Sequence, residues 1–166
     1  MKFILNTEAK YKKWEKYVKK IEIEKNVSKI FEIICKVLKV KIPNTTTVDV
    51  SIDFISDKQI QKINKQYRNI DKSTNVLSFP IYEKEFFDII KTEKYIVLGN
   101  IFLSLDTLLK ECKTDNIAFD YHLYHLITHS ILHLIGFDHT TENEAKEMEQ
   151  LEKQVLQKFL YLSSQQ

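Results

Sequence analysis

Three histidines with the spacing of metal ligands lie between residues 129 and 139 of this chain. Side chains four residues apart share one face of a helix, with Cβ atoms roughly 5–6 Å apart, so His129 and His133 can reach one ion. Gly136 can adopt the left-handed conformation that ends a helix, and the returning chain then brings His139 to the same point. Three neutral nitrogen ligands with one open position are typical of a catalytic zinc site. The spacing therefore predicts one zinc ion held by these three histidines.

The alternative for these histidines is a solvated or hydrogen-bonded helix face that binds nothing. All five histidines of the chain lie between residues 122 and 139, and one of only two glycines lies at the predicted helix end. This clustering favours a metal site. Of the two other histidines, His125 is expected to line the pocket, and His122 is explained as a polar residue near the start of the helix.

The same pattern, H-x-x-x-H-x-x-G-x-x-H, is found in three-histidine zinc proteases, where a glutamate directly after the first histidine is the general base. Here that position is Ser130. A serine hydroxyl cannot take a proton from water near neutral pH, so peptide hydrolysis is not expected. Phosphodiester cleavage fits better, because a metal ion can activate water itself and the remaining need is a cation for the phosphate charge.

Arg68 is the candidate for that cation. It is the only arginine among 25 basic residues, and the other 24 are lysines. The planar guanidinium binds phosphate oxygens in a bidentate manner, whereas lysine acts as a point charge. A structural ion pair with a carboxylate such as Asp71 explains the arginine equally well.

Hydrophobic periodicity and helix-capping residues predict the strands and helices that must position these residues. Alternating strands are predicted at 48–54 and 95–104, a short strand at 75–79, and capping boxes at Ser56 and Thr141. Residues 7–25 are predicted to form one irregular or helical segment, and residues 81–94 a loop with one helical turn. A long apolar helix over 117–135 carries the histidines and is expected to be central and buried. Strands come early and helices late, which predicts an α+β fold with a small sheet covered by helices.

The bulk properties predict one domain over residues 1–166, with 43% hydrophobic and 29% charged residues. No apolar run approaches the ~20 residues that span a bilayer, so no membrane association is expected. Cys35 and Cys112 are interpreted as free thiols, which suggests a cytoplasmic location. Residues 1–42 carry twelve lysines and five glutamates. This basic segment could attract RNA, although lysines used for solubility explain it equally well.

Together these residues resemble the YbeY family of bacterial endoribonucleases. Three blocks carry the resemblance and cover roughly residues 48–156: INKQYR followed by TNVLSFP (63–68 and 74–80), LGNIFLS (98–104), and the histidine block with the Met148 and Glu152 helix after it. The resemblance implies a small mixed sheet packed with helices, the metal helix at its centre. It also implies zinc on His129, His133 and His139, with Arg68, His129 and His133 as the catalytic residues.

The activity implied is cleavage of single-stranded RNA in maturation of the 3′ end of small-subunit ribosomal RNA and in ribosome quality control. The small ribosomal subunit is then a partner. The alternative is a non-catalytic ribosome-assembly or RNA-binding factor in which the zinc is structural. The family usually has Asp at the positions of Asn75 and Asn100 and Gly at that of Ser130. The Ser130 side chain is therefore expected to narrow the cleft.

Overall fold

The structure, a computed structural model, describes residues 1–82 and 86–165. Four strands and six α-helices are formed by these residues; strands and helices alternate up to the fourth strand, and three helices follow it. A short 3₁₀ helix at Lys12–Lys16 comes after the first strand. In chain order the elements are β1 (Lys2–Ala9), α1 (Lys20–Val37), β2 (Thr47–Ile55), α2 (Asp57–Arg68), β3 (Val76–Pro80), α3 (Phe86–Thr92), β4 (Tyr95–Ser104), α4 (Leu105–Asp115), α5 (Phe119–Leu134) and α6 (Glu142–Ser163).

The strands form one mixed sheet in the order β1-β2-β4-β3. Strands β1, β2 and β4 are parallel to one another, and the edge strand β3 pairs antiparallel with β4. The two inner strands, β2 and β4, are largely buried, as strands covered on both faces are. The predicted α+β class and the small mixed sheet are thus confirmed, and β4 has the predicted bounds.

The prediction of one segment over residues 7–25 is wrong. β1 ends at Ala9, the 3₁₀ helix follows, and α1 begins at Lys20. β1 pairs in parallel with β2 from Lys2 to Ala9, so a partner more than forty residues away along the chain determines this strand. Trp14, in the 3₁₀ helix, is fully buried, and its Nε1 donates to the carbonyl oxygen of Ile55 at the end of β2 at 2.9 Å.

The predicted helical turn within residues 81–94 corresponds to α3, and residues 83–85 of that range lie outside the described part of the chain. Both predicted capping boxes are present, at Ser56 and Thr141. Each joins the side chain and backbone of the cap residue to a partner three positions on, which satisfies donors at the helix start.

Asp57, in the first turn of α2, joins that helix to the start of α4. Its Oδ1 accepts hydrogen bonds from Ser104 Oγ at 2.6 Å and from Thr107 Oγ1 at 2.7 Å. Partial burial raises the pKa of the Asp57 carboxyl, but these hydrogen bonds together outweigh burial and the pKa is lowered. The carboxylate therefore stabilises the folded state in its charged form.

Helix α5 is the central helix predicted from its apolar sequence. Ten of its sixteen residues are buried, and it packs against α1, α4, α6, β3 and β4. None of the described helices is long and apolar enough to cross a membrane.

The close packing of α5 on the sheet depends on Gly99 in β4. Its φ is +142°, and a Cβ at this position would lie 2.1 Å from the Phe79 carbonyl oxygen and 3.0 Å from Leu134 Cδ2. Only a residue without a side chain fits between the edge strand and the end of α5. This contact places the carboxyl-terminal turn of α5 directly beside β3.

Candidate metal centre

The end of α5 is a Schellman motif centred on Gly136. The Gly136 N–H donates to the His133 carbonyl oxygen and the Phe137 N–H to that of Leu132, each at 3.0 Å. Gly136 has a φ of +100°, the positive value predicted for the helix end. The motif reverses the chain after the second histidine and returns His139 to the face that carries the first two.

The structure brings His129, His133 and His139 together, and one ligand atom from each lies within 4.8 Å of the others. The Nε2 atoms of His129 and His133 are 3.1 Å apart. A tetrahedral zinc ion with bonds of about 2.0–2.1 Å holds two nitrogens about 3.3 Å apart, so the observed spacing is close to that of a coordinated pair. His139 is exposed and the other two are half-buried.

The outer nitrogens of the first two histidines have partners that fix their tautomers. His133 Nδ1 lies 2.9 Å from the Phe137 carbonyl oxygen, which can only accept, so this nitrogen carries the proton. His129 Nδ1 lies 2.7 Å from Glu152 Oε1 and donates in the same way. Both Nε2 atoms therefore present lone pairs to the same point. Two facing lone pairs repel each other unless a cation lies between them, so these residues fit a bound metal ion.

The charge states also suit metal binding. Burial, together with the neighbouring His129 and His139 rings, lowers the pKa of His133 to about 4. His133 is therefore neutral at neutral pH, the form that coordinates metal. Burial alone would raise the pKa of Glu152, but hydrogen bonds from His125 and His129 outweigh it and bring the pKa to about 2.

The sequence predicted no role for Glu152, although the structure places it at the site. It is 8% exposed, on α6, and its second carboxylate oxygen accepts from His125 Nε2 at 2.9 Å. His125 lines a cavity on the side of the histidine cluster away from Arg68, in agreement with the prediction that it lines a pocket. A signal for Glu152 was present in the sequence, because Met148, Glu152, Val155 and Phe159 follow one buried helical stripe. A single acid within an apolar stripe indicates a buried partner.

Arg68 is the last residue of α2, beside the edge strand. Its Nη2 donates to the Ser78 carbonyl oxygen at 3.4 Å, and its guanidinium carbon is 5.8 Å from the centre of the Phe79 ring. The proposed ion pair with Asp71 is not formed, since Asp71 accepts instead from Lys65 at 2.5 Å. Within the described ranges, no carboxylate pairs with the Arg68 guanidinium.

Arg68 and the three histidines line one cavity of about 500 Å³, called here the Arg68 cavity. Ser78 and Pro80 of β3 form another part of its wall. The arrangement places a planar cation and three imidazole rings around one solvent-accessible space. Such a site can hold a metal ion and an anionic group at the same time.

His122 has a more specific position than a polar residue near a helix start. It is 9% exposed, and its Nε2 lies 2.7 Å from Glu111 Oε2 on α4. The Asn75 amide donates to both oxygens of the same carboxylate at 3.1 Å. Glu111 therefore joins the start of β3 to α5 and fixes the orientation of the Asn75 side chain.

Comparison with known proteins identifies the family. The family model described as "Endoribonuclease YbeY" matches residues 8–160. The chain belongs to the YbeY family.

Two YbeY relatives show the extent of the similarity. The endoribonuclease YbeY of Caldicellulosiruptor bescii is 36% identical over 143 residues, which cover 83% of this chain and 90% of the relative. That of Bartonella quintana is 41% identical over 111 residues, which cover 67% of this chain and 68% of the relative.

The fold is also that of a solved structure, TM1509 from Thermotoga maritima, determined in solution. It aligns with a TM-score of 0.54 and 21% identity, covering 99% of this chain and 95% of the other. At this identity the likeness concerns the fold alone.

The structure shows where Ser130 lies, the residue that replaces the glycine usual in the YbeY family. Ser130 is fully buried on α5 and lines neither the Arg68 cavity nor the space on the other side of the histidines. The expectation that it narrows the cleft is therefore wrong. It follows the candidate ligand His129 in sequence, but successive residues on a helix point about 100° apart, and Ser130 faces the core.

Proposed function

We propose that this YbeY protein is a zinc-dependent endoribonuclease that cleaves single-stranded RNA. The observation that carries the proposal is the shared Arg68 cavity, in which the arginine and the histidines 129, 133 and 139 face one space. Imidazole ligands favour zinc among the abundant divalent ions. The curated relatives named above are endoribonucleases, which supports RNA as the substrate.

The openness of the site favours catalysis over a structural metal. Structural zinc sites are closed by four protein ligands, whereas catalytic sites have three and leave one position open. Here three histidines form the cluster, among the described residues, and His139 is exposed to solvent. The alternative of an assembly factor with a purely structural zinc does not explain a cavity on that open side.

The roles of the residues follow from their contacts. When bound, zinc would supply Lewis acidity to a phosphate oxygen and lower the pKa of water. His129 and His133 would hold it through Nε2, and their Nδ1 partners keep both rings in the ligating tautomer. Arg68 has no carboxylate partner among the described residues, so its fork of donors could bind the phosphate and stabilise the additional negative charge of the transition state.

The cellular role that we propose is maturation of the 3′ end of small-subunit ribosomal RNA, together with ribosome quality control, in the cytoplasm. The small ribosomal subunit would be the partner. These assignments rest on family membership, and the surplus of lysines in residues 1–42 is consistent with a polyanionic partner.

The test pairs metal content with cleavage in the same samples. Wild type, His133→Ala and Arg68→Ala would be analysed for zinc by elemental analysis and assayed on a labelled single-stranded fragment of small-subunit ribosomal RNA. We expect about one zinc per chain in wild type and Arg68→Ala, with cleavage lowered about 10²–10³-fold in Arg68→Ala. His133→Ala should lose both metal and cleavage.

Equal cleavage by all three proteins would mean a contaminating ribonuclease and would overturn the proposal. Circular dichroism of each variant controls for folding. Full RNA affinity and normal ribosome maturation with folded His133→Ala would instead support the assembly-factor alternative.

A further inference from the structure

A second cavity, of about 390 Å³, lies against the same histidine cluster but does not include Arg68. We call it the Asn75 cavity, the space between Asn75, His125, Ala145 and Met148. It shares His129 and His139 with the Arg68 cavity, so the candidate metal ligands stand between the two spaces. A substrate that extends past these histidines from one side to the other would therefore occupy both cavities.

The charges of the two cavities differ. No lysine or arginine is found among the described residues that line the Asn75 cavity. Its two carboxylates have partners, since Glu152 bonds His125 and His129, and Glu149 accepts from Lys153 at 2.6 Å. A phosphate would therefore meet an arginine side chain in the Arg68 cavity, but no basic side chain of the described residues that line the Asn75 cavity. The Asn75 cavity is therefore suited to an uncharged part of the substrate.

The walls of the Asn75 cavity combine flat rings, apolar groups and a fixed amide. The His125 side chain is 37% exposed, and Leu126, Ala145 and Met148 add apolar surface. The Asn75 NH₂ group is held by Glu111, which leaves its carbonyl oxygen, with only a long contact of 3.4 Å from Thr74, able to accept from a ligand. A heteroaromatic ring with polar edges matches such walls, because its faces stack and its edge forms hydrogen bonds.

We propose that the Asn75 cavity binds the nucleobase of the nucleotide next to the scissile phosphate. This inference rests on the proposed function, because the phosphate must lie between the histidine cluster and Arg68. A base can enter the cavity only when it is unpaired and turned away from its neighbours. A pocket that accepts only an unpaired base would make the enzyme prefer single-stranded RNA, without any contribution from charge.

Cleavage kinetics of a blocked cavity test the proposal. The cut site in a short single-stranded RNA would be mapped first, and single abasic nucleotides then placed at each position around it. In Ala145→Phe a ring fills the cavity from α6. In the matched control Lys146→Phe the same ring lies at an adjacent exposed position, where the lysine forms only a 3.5 Å surface pair with Glu142.

We expect wild type and Lys146→Phe to lose about tenfold in kcat/KM at one abasic position adjacent to the cut, the scale of a single base contact. Ala145→Phe should show that loss already on intact RNA, with no further loss on the abasic RNA, and should retain its zinc. An Ala145→Phe protein that cleaves intact RNA at the wild-type rate, or that keeps the full abasic penalty, would overturn the proposal.

A binding measurement separates this inference from the proposed function. In methyl NMR spectra of the full-length protein, adenosine should shift the Ala145 and Met148 signals saturably, and ribose 5-phosphate should not. Shifts with adenosine in a protein that lacks metal-dependent cleavage would refute the hydrolytic function and the scissile-phosphate placement, but not base binding. Absence of shifts with adenosine would overturn the base site even if cleavage is robust.

Discussion

Replacement of Glu152 by glutamine tests whether this buried carboxylate positions a metal ligand. The carboxylate accepts two N–H bonds, from His129 at 2.7 Å and from His125 at 2.9 Å. A glutamine of the same shape offers one accepting oxygen and one donating NH₂ group. One histidine must therefore lose its bond or change tautomer. If His129 changes, its proton moves to Nε2 and occupies the lone pair that faces the metal.

The size of the effect follows from the loss of one outer partner of a ligand. Such losses cost about 10- to 100-fold in metal affinity, or about 1.4–2.8 kcal/mol. We place Glu152→Gln toward the upper end, because the change also removes a buried negative charge next to the cation. His125→Ala should cost less, since the bond from His129 to the carboxylate remains.

The assay is a competition titration of the metal-free protein against a chromophoric zinc chelator at neutral pH. Glu149→Gln is the matched control, the same chemical change on the same helix at an exposed residue that pairs with Lys153. Far-UV circular dichroism of each metal-free variant controls for folding. A folded Glu152→Gln protein that binds zinc as tightly as wild type and Glu149→Gln would refute the assigned positioning role.

Three further predictions concern stability and the ligand set. Gly99→Ala should lower the free energy of unfolding by about 3 kcal/mol or more through the clash with the Phe79 carbonyl; a wild-type urea midpoint would contradict this. His139→Ala should weaken zinc binding in equilibrium dialysis by more than the ~100-fold upper value for an outer partner, and unchanged affinity would exclude His139 as a ligand. Because the folded-state pKa of Asp57 is lowered, its stabilisation is complete above the unfolded pKa of about 3.9 and is lost as the pH falls through the folded value. Urea unfolding should therefore show wild type more stable than Asp57→Asn at neutral pH, with the difference closing below pH ~4; a difference independent of pH would rule out the charged form as its source.

Local signals in the sequence predicted the elements around the site well. The capping residues Ser56 and Thr141 begin their helices where expected, and Gly136 ends α5 with a positive φ. Each depends on hydrogen bonds within a few residues, which the sequence specifies directly. The juxtaposition of the three histidines has the same local origin.

Features set by distant partners were not predictable in the same way. β1 lacks a clear alternation and becomes a strand because β2 offers it a parallel edge. Arg68 had two equally good explanations until the structure showed Asp71 paired with Lys65. The role of Glu152 depends on the packing of α6 against α5, which no local pattern specifies.

The Schellman turn at Gly136 also affects when the site can form. All three candidate ligands lie in one short stretch, so bringing them together closes a loop of a few residues at low entropic cost. During synthesis this stretch is complete before Glu152 and the rest of α6 have been added. A nascent chain would thus present a weak metal-binding turn first, and docking of α6 would then strengthen it. Tight binding of the proposed metal would therefore require that α6 has been synthesised and has docked against α5.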